Sequence, residues 1–166
     1  MYAPSIQRVL VRQGLLLAAA LCILLPGVAP AQKVVTELSP KQMTKILTSM
    51  GFEVEDRKDD SESDEPLWLD LAGYRTAVFL LNQNTDAQLY IGFQQKISAE
   101  RVNEWNQAHR FARAYRDKDG DAVLEADLDF TGGVTEANVK AWVKLYRDVL
   151  GEYVQFIRSE PVARAK

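Results

Sequence analysis

The chain has 166 residues, a formal net charge of −3, one histidine and one cysteine. An acidic chain with no basic stripe argues against nucleic acid and against an anionic membrane surface, since both are held by Lys and Arg neutralising phosphate. A lone cysteine excludes an internal disulfide framework and a cysteine-rich zinc site.

The first 31 residues read as a secretory signal peptide. Arg8 and Arg12 precede an apolar run from Gly14 to Leu25, Pro26-Gly27 breaks it, and Ala29-Pro30-Ala31 supplies the small residues a signal peptidase reads. Cleavage is predicted before Gln32. The run falls short of the ~20 residues that a membrane span needs. Leu21 stands before Cys22, where a lipidation site needs a small residue. Processing removes Cys22 and both arginines but no acidic residue, so the formal charge moves from −3 to about −5. Residues 32–166 are enough to bury one hydrophobic core. The expected organisation is a leader over 1–31 and one domain over 32–166, periplasmic or secreted, with no membrane association after cleavage.

The first predicted helix begins at Ser39, with Pro40 at its first position and Gln42 three residues on, the pattern of a capping box. Leu38 and Met43 are spaced for a hydrophobic staple. Met43, Ile46, Leu47 and Met50 form one apolar face, and Gly51 stops the helix. Phe52-Glu53-Val54 then reads as a short strand. It leads into residues 55 to 65, a run with no apolar side chain that reads as a solvated acidic loop.

Leu67, Leu69 and Leu71 alternate with Trp68 and Asp70, the period of a half-buried strand. Ala72-Gly73 makes a tight turn into Tyr74–Leu81, whose end is apolar on both faces and suits a central strand. Gln83–Asp86 is a polar turn. Leu89, Ile91 and Phe93 alternate with polar neighbours in the next strand. A second helix starts at Ser98, stapled by Ile97 and Val102, with Trp105 and His109 on its inward face.

The hairpin that follows admits two registers. A two-residue turn at Asp119-Gly120 sets Arg113 on the face of Ala126. A three-residue loop, Lys118-Asp119-Gly120 with Gly120 in the left-handed region, sets Arg113 opposite Glu125. It also places Ala112 and Ala114 with Leu124, Ala126 and Leu128 on the buried side. The second register matches charges across the strands and keeps arginine out of the core, so it is the preferred one. Gly132-Gly133 then gives a tight turn into a third helix that starts at Thr135, stapled by Val134 and Val139.

Candidate chemistry is sparse. Asp117, Asp119 and Asp121 have the spacing that opens a calcium loop, but Ala122 and Leu128 stand where the pattern needs glycine and glutamate. Small-ligand or cation binding at this acidic hairpin is therefore the alternative function, not the first. Glu125, Asp127 and Asp129 are about 7 Å apart at each step along one strand face. That face is expected to be solvated. His109 lacks the further ligands of a metal site and reads as a packed or capping residue. No catalytic, cofactor or metal residue is assigned.

The third helix carries an ordinary core stripe from Val139 to Ile157, but Leu145 and Phe156 widen its apolar surface to about half the circumference. Such a helix either lies in a groove and is contacted from two sides, or offers a partner or dimer surface. On the second reading Trp142, Leu145 and Phe156 are the partner-binding residues.

The stretch from Trp105 to Thr135 resembles the signature region of the YbjN-like family, bacterial proteins often labelled sensory-transduction regulators. The residues that carry the likeness are Trp105-Asn106, Arg110-Phe111, Ala114-Tyr115, Asp119-Gly120-Asp121, Leu124-Glu125, Asp127-Leu128 and Gly132-Gly133-Val134-Thr135. The likeness runs from Leu38 to about Ile157. It implies an α+β fold similar to type III secretion chaperones, in the order helix, antiparallel strands, helix, hairpin, helix. It also implies a regulatory protein with no established active site. The expected function is an exported, non-enzymatic protein-binding, chaperone-like or regulatory module, with a protein partner or self-association.

Overall fold

The computed structural model describes residues 33–55 and 65–159. The expected leader, and all of the acidic loop except its two ends, lie outside the described residues.

Helix α1 (Pro40–Ser49) starts as the sequence implies. Ser39 and Gln42 exchange hydrogen bonds through side chain and backbone, which satisfies donors that a helix start leaves open. At the other end Phe52 N–H reaches Leu47 O (3.2 Å) and Gly51 N–H reaches Thr48 O (2.9 Å), with Gly51 at φ +88°. Only a residue without Cβ takes that backbone cheaply, so the helix ends there. Helix α2 (Ala99–Ala108) is capped by Ser98 and ends at His109. Helix α3 (Glu136–Arg158) is capped by Thr135, and Asn138 returns the bond in a full capping box that the sequence reading had not included.

The strands are β1 (Val34–Val35), β2 (Val54–Glu55), β3 (Leu67–Leu71), β4 (Tyr74–Leu81), β5 (Asp86–Lys96), β6 (Arg113–Arg116), β7 (Asp121–Asp129) and β8 (Val134–Thr135). Six form one antiparallel sheet in the order β2-β3-β4-β5-β7-β6. The interior position expected for Tyr74–Leu81 is the one β4 occupies. Asp86, expected in the turn, is instead the first residue of β5. β1 and β8 pair by themselves in a small second sheet that the sequence reading had not anticipated.

One face of the large sheet carries Leu67, Leu69, Leu71, Val78, Leu89, Ile91, Leu124 and Ala126, all buried against the helices. Trp105 of α2 and Tyr146 and Tyr153 of α3 fill the space above it. Tyr146 Oη donates to Leu124 O at 2.9 Å, so its polar tip is satisfied inside the core. β5 is irregular between Gly92 and Lys96. Phe93, in that stretch, packs edge-on against both Tyr74 and Tyr153. The hairpin takes the bulged register, with Arg113 opposite Glu125, Ala114 opposite Leu124 and Gly120 at φ +86°. Among the described residues no helix is long and apolar enough to cross a membrane.

Candidate interaction surface

The helices cover one face of the sheet, and the register places a distinct set of side chains on the other. Trp68, Ala77, Tyr90, Glu125 and Arg113 form one row across β3, β4, β5, β7 and β6. Next to it run Phe79, Gln88 and Asp127, then Leu81, Asp86 and Asp129. This face, open among the described residues, is layered. Ala77 and Val123 are wholly buried on it, and Glu125 is only 3% exposed. Half-buried Trp68, Phe79, Tyr90 and Tyr115 are the large side chains around these short ones. Phe79 meets Tyr90 edge to face at 6.1 Å, and the Arg75 guanidinium lies 4.1 Å from the Trp68 ring centre. Gly92 gives Tyr90 room, since a Cβ there would sit 3.3 Å from the phenol oxygen.

The expected solvated run of carboxylates divides. Asp127 and Asp129 are exposed as anticipated, Asp127 accepting from the Gln88 amide (2.9 Å) and Asp129 from Thr131 N–H (2.7 Å). Hydrogen bonding from the Thr131 side chain, and then from its N–H, holds the Asp129 carboxyl below the usual range. Glu125 corrects the expectation: it is buried and ion-paired with Arg113. Burial first, and then the Glu125 carboxylate beside it, push the Tyr115 phenol up to about 12.

The acidic hairpin tip is tied up in its own turn. The Asp117 carboxylate accepts N–H bonds from Asp119 (2.9 Å) and Asp121 (2.8 Å). Lys96 pairs with Asp121 at 2.9 Å and donates to Asp119 O at 2.8 Å. A cation bound there would have to displace this ammonium. His109 is the C-cap of α2, stacked on Trp105 with ring centres 3.4 Å apart, and its Nε2 lies 3.8 Å from Glu152 of α3. It stands on the helical side of the sheet, away from Asp127 and Asp129.

The three residues singled out on α3 have different surroundings. Phe156 packs against Trp105 and Tyr153, and the Arg101 guanidinium caps it at 3.7 Å. Trp142 is partly buried against the core, and Leu145 is 37% exposed.

One polar contact escaped the sequence reading. The exposed Asn106 side chain accepts from Ala114 N–H and donates to Ala114 O, both at 3.0 Å. It occupies the free edge of β6 as a neighbouring strand would. The only sequence signal for it is an asparagine one helical step past a core tryptophan.

The sequence of residues 39–159 matches the model of the YbjN family, described as "Putative bacterial sensory transduction regulator". A solved structure, that of YbjN from E. coli, described as "a putative transcription regulator", has a TM-score of 0.56 and 17% identity, covering 75% of this chain and 92% of that one. At that identity the likeness concerns the fold alone. No curated protein matches the chain. With a matched region that spans α1, α2, α3 and the whole six-stranded sheet, the chain belongs to the YbjN family.

Proposed function

We propose that this protein is an exported, non-enzymatic regulatory or chaperone-like module that binds another protein through the open face of its sheet. The observation that carries the reading is the half-buried aromatic layer on the face that none of the described helices covers. Trp68, Phe79, Tyr90 and Tyr115 supply large, stiff contact area at low entropic cost, which suits a recognition surface. The regulatory description of the family agrees with this. The separation of His109 from Asp127 and Asp129 favours the non-enzymatic part, and Lys96 on the hairpin tip weighs against the cation-binding alternative. On α3, Trp142, Leu145 and Phe156 are the proposed second contact area. Leu145 is its most exposed member.

Two measurements test the proposal. Envelope extract is passed over the wild-type protein and over a Tyr90→Glu variant of unchanged circular dichroism, and the retained proteins are identified by mass. A partner held by the first and lost from the second is the expected outcome. The same proteins on both baits, or the bait alone, count against it. For export, the intact mass of protein recovered from the periplasm should correspond to a chain starting at Gln32, and a full-length mass there refutes processing.

A further inference from the structure

The charges on the open face are unevenly spent. Among the described residues Arg75 and Arg113 on this face are each matched by a carboxylate: Arg75 by Glu55 in a two-toothed pair (2.7 and 3.2 Å), and Arg113 by Glu125. At the β4–β5 turn end the balance is different. Asp86 and Asp129 stand directly opposite each other on β5 and β7, and Asp127 follows two residues along the same strand face. Like charges so placed repel. Their hydrogen-bond partners among the described residues are all neutral: Asn82 for Asp86 (2.7 Å), Gln88 for Asp127 and Thr131 for Asp129, although the Arg113 charge that pairs with Glu125 also reaches Asp127. Asp86 Oδ1 is buried and accepts no hydrogen bond among the described residues.

Apolar groups flank these carboxylates. Phe79 and Leu81 lie in the same rows, Leu81 38% exposed. Among the described residues no three acidic, histidine or cysteine side chains converge closely enough to hold a metal ion. The unmatched charge therefore calls for a donor that brings its own hydrogens and its own apolar stem, as an arginine or lysine side chain does.

We infer that the occupant of this face is a segment of a partner protein that presents arginine or lysine between apolar residues, its cations on Asp86, Asp127 and Asp129 and its apolar side chains on Phe79 and Leu81. This rests on the protein-binding reading above and deepens it. The probe is the peptide acetyl-Leu-Arg-Leu-Arg-Leu-amide, titrated into the ¹⁵N-labelled protein, with acetyl-Leu-Glu-Leu-Glu-Leu-amide as its counterpart. The arginine peptide is expected to shift the amides of Phe79–Gln88 and Asp127–Asp129. The Asp86→Asn/Asp127→Asn double variant, checked for an unchanged melting temperature, should bind it about tenfold more weakly. Raising ionic strength from about 0.05 to about 0.5 M should weaken the wild-type complex by a similar factor. Should the double variant melt early, Asp127→Asn alone serves, with a loss of about threefold expected. No shift with the arginine peptide, or shifts confined to another surface, overturns the inference. Equal shifts with the glutamate peptide on the same amides overturn the cationic occupant while leaving the face itself as the contact surface.

Discussion

Arg113 and Glu125 face each other across the β6–β7 hairpin, with the carboxylate buried and the guanidinium largely in water, at side-chain exposures of 4% and 71%. A buried carboxylate is costly unless it is paired, so the arginine acts mainly by compensating a charge that the sheet has already desolvated. Arg113→Ala should therefore destabilise the protein by about 1–3 kcal/mol, whereas Arg113→Met combined with Glu125→Leu should recover most of that loss. Urea denaturation of the two variants decides it. A neutral Arg113→Ala would mean that Glu125 is adequately solvated without its partner.

Asn106 closes the β6 edge through two hydrogen bonds to Ala114. Asn106→Ala leaves both backbone groups to water and should cost about 1–3 kcal/mol, with faster hydrogen exchange at the Ala114 amide. Asn106→Asp keeps the acceptor but sets a carboxylate against Ala114 O, so it should be no better than alanine. Protection at Ala114 unchanged in both variants would refute the edge-closing role.

The local signals were the readable ones. Ser39, Ser98 and Thr135 cap their helices because cap and staple residues sit within a few positions of one another, and the chain needs no tertiary context to use them. The hairpin register was readable as well, since only one pairing set Arg113 opposite Glu125. Burial of Glu125 was not. Its alternation with Leu124 and Ala126 marks it as outward-facing, and what buries it is the set of side chains around it on β5 and β6. The Asn106 contact links a helix end to a strand edge, and the β1–β8 pair joins residues about a hundred positions apart. Neither leaves a periodic trace. For the open face, the alternation identified the outward side chains but not that Trp68, Phe79 and Tyr90 share neighbouring rows.

Gly133 adopts φ +98°, and a Cβ on it would overlap the Val34 side chain. Gly133→Ala should lower stability by about 1–3 kcal/mol, from left-handed strain and from the clash together. Adding Val34→Ala removes the clash and leaves the strain, so it should restore only part of the loss. Complete recovery in the double variant would show that the backbone conformation costs nothing.

Burial alone pushes the Tyr153 phenol up to about 12, and it pushes Tyr146 upward too. A folded pKa above the unfolded one means that this stability is fully present below about pH 10 and is lost as the pH climbs through 12. For Tyr153 the two-unit difference corresponds to roughly 2–3 kcal/mol at most. Phenolate absorbance should show these two tyrosines ionising together with alkaline unfolding. Ionisation near pH 10 with the fold intact would contradict their burial.

The protein-binding role of the open face is tested most directly by a photo-cross-linking residue placed at Phe79, on that face, or at exposed Lys41 of α1, away from both proposed contact areas. After irradiation of living cells, one identified protein joined to the chain through position 79 and no adduct through position 41 is the expected result. An adduct through position 41, with none through position 79, would contradict it.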